Sequence, residues 1–337
     1  MTPIDPSTTH PGAGSESGTL ASHLGLGLAA LGRPAYITTG RASDLGPDAD
    51  RSVEALRRHA HEVLDAAWWL GIRYVDAARS YGLAEQFLGS WLAAHPGRRD
   101  ELTIGSKWGY EYVGDWSMSA EVHERKEHDT ALFDRQWPET LEALGGRPDV
   151  YLIHSLTPDS PALTDSALLD RLRGLTAEGV RIGFSTSGPS QAAVIDAALA
   201  LRDSPFSAVQ STWNLLEPSA GSALARANDA RWLVVVKEAL ANGRLTEAGA
   251  LTGDGPADPH AQAARVAAER DSQTLESFAL GAAVAQPWAD VVLTGAVTRR
   301  QLRENLRAQP PAPGADLTHL AEPAAVYWAA RSARPWT

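Results

Sequence analysis

Short apolar runs alternate with helix-length amphipathic stretches along nearly the whole chain, and this alternation limits the fold more than any other feature. Val53, Leu56, Ala60, Val63, Leu64, Ala67 and Trp68 recur at helical spacing between Arg51 and Gly71, and the apolar run Ile72–Asp76 follows at once. The spacing predicts further helices over Ala84–Ala94, Leu132–Leu144, Ala167–Glu178, Gln191–Leu201, Ala220–Ala230, Ala261–Ala285, Thr298–Ala308 and Leu320–Ala333. Strands are expected over Glu101–Ser106, Val150–Ile153, Val180–Phe184, Ala208–Gln210, Trp232–Val236 and Val291–Leu293. Strand-then-helix alternation implies a parallel sheet. With a Gly-rich first strand the pattern repeats eight times, so the expected fold class is α/β, a (β/α)8 barrel in one domain over residues 21–337.

A doubly wound open sheet is the competing arrangement. It wants a phosphate-binding turn between the first strand and the first helix. Gly25, Gly27 and Ala30 do satisfy G-x-G-x-x-G/A, and Asp44 lies roughly 20 residues on, where a ribose-binding acid is wanted. Yet Gly32, Pro34, Thr38, Thr39 and Gly40 follow, which is turn and extended chemistry and opens no helix. The segment therefore reads as a strand and a loop.

Composition narrows the function classes. The chain has 337 residues and no cysteine, which excludes disulfides, thiolate metal sites and thiol nucleophiles and fits a cytoplasmic location. A net charge of -11 disfavours nucleic-acid and anionic-membrane partners. No apolar stretch is long enough to span a bilayer. Residues 1–20, rich in Pro, Gly, Ser and Thr, read as a flexible tail.

Polar residues sit where strands should stop. Asp76 ends the second strand, Lys107 the third and His154 the fourth, and Tyr81 lies in the loop after the second. In a barrel these ends share one rim, where active sites lie. A phenol is a poor acid at neutral pH, and a nearby ammonium eases release of its proton. Asp76 would hold Lys107 charged, and His154 would orient a carbonyl oxygen, so that Tyr81 protonates an oxyanion as it forms. No covalent nucleophile or metal cluster accompanies the set, which leaves a nicotinamide cofactor as the natural source of electrons. His59 with His61, and His123 with His128, would diverge by about 140° or more on a helix, so no metal site is assigned.

The chain resembles the aldo-keto reductase family from about Gly25 to Ala308. The resemblance rests on Asp76 and Tyr81 in YVDAARSYG, Lys107 in IGSKWG and His154 in YLIHS, which match the catalytic tetrad in order. Ser185 in IGFSTSG, Gln210 in VQSTWN, and Gln301, Glu304 and Asn305 in QLRENL match the cofactor-binding positions. The resemblance implies that Ser185 and Gln210 contact the carboxamide and that the last three lie at the adenine end. Trp213 stands in place of the usual stacking Tyr, and Thr186 in place of an Asn. Lys237 and Glu238 occupy the run where relatives show Ser-Pro-Leu, and Lys237 could neutralise phosphate. Arg299 and Arg300 beside the adenosine end favour NADPH over NADH, since a guanidinium binds a 2′-phosphate bidentately.

The expected activity is thus reversible, NADPH-dependent reduction of a small-molecule aldehyde or ketone. Trp108, Tyr110, Tyr112, Trp116 and Met118 suggest an aromatic substrate wall, with Trp108 and Trp116 as its binding residues and an apolar or ring-bearing carbonyl as its guest. A second class fits the same residues: an NADP(H)-binding regulatory or scaffold protein with little turnover, as potassium-channel β subunits resemble this family. A barrel hydrolase would want paired carboxylates at strand ends, and only Asp76 stands at one.

Overall fold

The computed structural model describes residues 20–34, 50–117, 120–251 and 258–334. Residues 1–19 of the expected tail, together with Thr38, Thr39, Gly40, Asp44 and Met118, lie outside the described residues.

The strands are β1 (Leu24–Gly27), β2 (Tyr74–Asp76), β3 (Thr103–Trp108), β4 (Tyr110–Tyr112), β5 (Glu124–Lys126), β6 (Val150–Leu156), β7 (Arg181–Thr186), β8 (Phe206–Thr212), β9 (Leu233–Lys237) and β10 (Val291–Thr294). Eight of them close a parallel barrel in the order β1-β10-β9-β8-β7-β6-β3-β2, and β4 and β5 form a separate antiparallel hairpin. The expected (β/α)8 architecture is thus present, with the β4–β5 hairpin as an addition. The hairpin escapes notice because its strands are three residues each and no Asn-Gly or Asp-Gly turn joins them.

The helices follow the expected positions closely: α1 (Val53–Trp69), α2 (Ala84–Ala94), α3 (Thr130–Leu144), α4 (Ser166–Ala177), α5 (Gln191–Leu199) and α6 (Gly221–Asp229). Their starts are chemically marked. Ser52, Asp129 and Asp165 cap α1, α3 and α4 by accepting from exposed first-turn amides. Each buries one apolar stripe, such as Leu56, Ala60, Val63 and Leu64 of α1, against the outer face of the barrel. Inside the barrel Tyr74, Val150, Leu152, Ala208, Val235, Val291 and Leu293 pack together as a filled core rather than a pore.

The expected single helical region over 261–285 is two helices. After α7 (Glu247–Leu251), α8 (Pro259–Arg270) stops at a left-handed Ser272, and Thr274 caps α9 (Leu275–Val284). The break sets the start of α9 on the rim. The chain closes with α10 (Arg299–Asn305) and α11 (Ala324–Ser332).

Two loops on the rim interlock through glycine. The Leu83 amide donates to the Gly32 carbonyl at 2.7 Å. A Cβ at Gly32 would fall 2.2 Å from the Tyr81 carbonyl oxygen, and one at Gly82 would fall 2.4 Å from the Gly32 oxygen. Gly82 also adopts φ +61°, which a side chain disfavours. Neither backbone can yield without moving Tyr81. Gly32→Ala is therefore expected to lower unfolding free energy by about 1–3 kcal/mol, the usual cost of overpacking. An unchanged denaturation midpoint would show that the loops are not locked.

Candidate active site

Asp76 and Lys107 end adjacent strands, and their side chains meet under the rim. Lys107 Nζ lies 2.5 Å from Asp76 Oδ2 and 2.9 Å from the Ala77 carbonyl oxygen, with Lys107 fully buried. Gln210 of β8 reaches across the barrel mouth and donates through Nε2 to Asp76 Oδ1 at 2.7 Å. The loop that leaves β2 is laddered to β3 by Ala77 and Arg79, whose amides donate to the Gly105 and Lys107 carbonyls. That ladder delivers Tyr81 to a position over the pair, with the ammonium 4.6 Å from the centroid of its ring.

His154 stands at 5.4 Å from Tyr81, ring centroid to ring centroid, nearly edge-on. It owes this aim to a bulge in β6, where the register with β7 shifts between Ile153 and Leu156 and Ser155 takes φ +56°. The Ser155 amide donates to Ser185 Oγ at 2.7 Å, which fixes the bulge. His154 Nδ1 lies 3.3 Å from Ser80 Oγ, and Nε2 has no partner among the described residues. His128 holds the backbone from behind, its Nε2 2.8 Å from the His154 carbonyl oxygen and its Nδ1 2.7 Å from Ser160 Oγ.

Burial sets the protonation states. It drives His154 well below the usual imidazole value, and Lys107, Lys237 and Arg33 push the same way, so the ring is neutral. Burial, then the Asp76 charge, raises Tyr81 well above an ordinary phenol. Burial and the Asp76 charge together outweigh the cations near Tyr81, Arg33 among them. Tyr81 is thus a protonated phenol across the physiological range.

Asp76, Tyr81, His154 and Gln210 open onto one cavity of about 1420 Å³. Pockets for small ligands run to about 300–1,000 Å³, so this one has room for a larger molecule as well. It runs from the tetrad past Lys237 and Glu238 to the start of α9 at Gln273 and Thr274, and on to Arg300, Gln301, Glu304 and Asn305. Asn305 donates to Thr294 Oγ1 at 2.6 Å, and Gln301 Oε1 accepts from the Val297 amide at 2.9 Å. Arg300 pairs with Glu304 at 3.0 Å on the exposed face of α10.

Several expected residues stand elsewhere. Ser185 is fully buried behind the cavity, and Thr186 joins a buried network with Ser211 and Gln191. Trp213 packs edge-on against Trp288, outside the lining, and Arg299 is exposed and also outside it. Trp108 turns into the core against Phe133, and Trp116 packs on Phe87 and donates to the Arg51 carbonyl. His123 and His128 flank β5 and do not share a helix.

Residues not anticipated take part. Arg33 and Glu124 line the cavity near the tetrad, beside Tyr110 of the expected aromatic stretch, and Arg307, Arg331 and Arg334 line it farther out. Arg331 grips both oxygens of Glu238, and Arg334 donates to the Asn242 carbonyl at 3.0 Å. Only the Lys237–Glu238 departure hinted at this arrangement. Burial pulls Lys237 down to about 8, and Glu238, despite its burial, is held down at about 2, chiefly by Arg331.

The two buried histidines make the fold acid-sensitive. Burial lowers His128 to about 4 and holds His154 well below its usual 6.5. Between those values and 6.5 the unfolded chain binds more protons, so stability rises with pH there and is lost as pH falls. Each group approaches a slope of about 1.4 kcal/mol per pH unit. Denaturant unfolding at pH 7 and pH 5 should show a clear drop, which His128→Gln reduces; a flat profile would contradict neutral burial.

Comparison with known proteins bears on the family and the fold. The model of the Aldo/keto reductase family matches residues 46–310. A curated aldo-keto reductase of Gibberella moniliformis is 34% identical over 116 residues, spanning 34% of this chain and 33% of that relative. Among solved structures, the aldo-keto reductase AKR11C1 of Bacillus halodurans, holo form, superposes with a TM-score of 0.65 at 23% identity, covering 90% of this chain and 93% of that one. The glycerol dehydrogenase AKR11B4 of Gluconobacter oxydans gives a TM-score of 0.61 at 22% identity, covering 85% of each.

Proposed function

This chain belongs to the aldo/keto reductase family, and on that premise we propose that it reduces an aldehyde or ketone to the alcohol, reversibly, with NADPH as hydride source and Tyr81 as proton donor. The observation that carries the reading is the buried Lys107–Asp76 pair directly beneath Tyr81, with the neutral His154 ring beside it. The cofactor, when bound, supplies the hydride that the carbonyl carbon accepts.

The chain's own residues do the rest. His154 offers Nε2 to the carbonyl oxygen when Ser80 donates to Nδ1, and so holds the oxygen toward the phenol. As charge grows on that oxygen, the O–H bond of Tyr81 breaks and its proton completes the alcohol. The phenolate left behind faces Lys107, whose ammonium stabilises it. Asp76 keeps that ammonium charged in a water-poor setting, and Gln210 keeps Asp76 in place. The high proton affinity of Tyr81 before reaction restrains idle ionisation.

The donor set suits an elongated anionic dinucleotide. Lys237, Arg300, Arg307, Arg331 and Arg334 line the cavity beyond the tetrad. Gln210 would meet the carboxamide, Lys237 the pyrophosphate, and Gln301, Glu304 and Asn305 the adenine end. Arg300 and Arg307 favour a 2′-phosphate, hence NADPH over NADH.

Tyr81→Phe should cut kcat by orders of magnitude while cofactor binding, followed by fluorescence, persists; near-normal turnover would remove the mechanism. Lys237 bears on the cofactor instead. With its ammonium titrating near 8, NADPH affinity should weaken as pH rises through that value. Lys237→Met should weaken binding below pH 8 and flatten the profile, whereas an unchanged profile would remove Lys237 from the phosphate site.

A further inference from the structure

The cavity wall beside Tyr81 keeps one expected ring, Tyr110, and carries an ion pair where the two tryptophans were expected. Trp108 and Trp116 face the core, and Arg33 and Glu124 line the cavity in their stead. Arg33 comes from the loop after β1 and Glu124 opens β5, so the hairpin brings the second half of the pair. Their ends lie 2.7 Å apart with the Arg33 side chain 3% exposed. The guanidinium also donates to the Ser80 carbonyl at 3.0 Å and sits 5.1 Å from the centroid of the Tyr81 ring. Ser80 in turn contacts His154, so the pair adjoins the groups that meet the carbonyl.

Within the pair the two charges face each other, and Glu124 presents an acceptor to the cavity. Glu124 Oε1 accepts from the Arg33 guanidinium, and Oε2 has no hydrogen-bond partner among the described residues. A hydroxyl group both donates and accepts, so it suits such a pair. A carboxylate would meet the Glu124 charge, and an ammonium would meet Arg33. An alkyl group would strip water from Glu124 and return no hydrogen bond.

We propose that Arg33 and Glu124 form a specificity-determining pair that selects neutral carbonyl compounds bearing a hydroxyl group near the reacting carbon. The inference rests on the reductase reading above and adds the substrate class. It differs from the apolar or ring-bearing guest that the sequence suggested, because Trp108 and Trp116 pack away from the cavity.

Three four-carbon aldehydes test it: erythrose, butanal and succinate semialdehyde, each assayed by NADPH oxidation. Wild-type protein should show kcat/KM for erythrose about tenfold or more above butanal, with succinate semialdehyde lowest, since a site built to bond a hydroxyl rejects the analogue without one. In the double variant Arg33→Met/Glu124→Leu, which removes both charges together, the erythrose-to-butanal ratio should fall at least tenfold. Equal wild-type values, or a ratio that the variant keeps, overturn the proposal while leaving the reductase reading intact. Failure of the wild type on all three overturns the proposal too, and failure on a wider panel of aromatic and aliphatic carbonyls overturns the reductase reading as well. The wild-type series decides the matter if the variant does not fold.

Discussion

The site depends on an ion pair that water cannot reach. Moving two charges into a barrel costs several kcal/mol per ion, and their attraction repays this only with good geometry and further hydrogen bonds. Lys107 and Asp76 meet that condition through the Ala77 carbonyl and the Gln210 amide. Removing one partner would strand the other and cost about 3–5 kcal/mol. The barrel supplies what the pair needs: β2 and β3 are neighbours in register, so residues at their ends come together without strain. Tyr81 and His154 are then arranged around a fixed charge, while burial, more than that charge, sets their protonation.

The strand-end residues were legible in sequence because a barrel converts strand order into a ring and turns every strand end toward one rim. Asp76, Lys107 and His154 needed only the alternation and their places in it. Helix starts were legible wherever Ser, Thr or Asp precedes an apolar stripe, as at Ser52 and Asp165. The hairpin was not, since three-residue strands carry too little periodicity. With it went Glu124, and with Glu124 any reason to single out Arg33. Trp108 and Trp116 misled for a related physical cause. A large ring after a strand looks like a wall, but whether it faces the cavity or the core depends on the α3 and α2 residues it meets.

The far end of the cavity was half legible. QLRENL marked Gln301, Glu304 and Asn305, and all three line it. Arg331 and Arg334 gave no signal, because a basic residue near a helix end is usually a solvated one. Their role comes from a tertiary contact: the loop after β9 carries Glu238, Ala241, Asn242 and Gly243 in left-handed backbone, and the two arginines brace it.

That brace has a consequence for how the protein is made. Arg331 and Glu238 are 93 positions apart, and every barrel strand precedes Arg331 in the chain. During synthesis the whole sheet can leave the ribosome before α11 does. The braced wall of the cavity is therefore the final piece to assemble, and a nascent chain can acquire its barrel before that wall is in place.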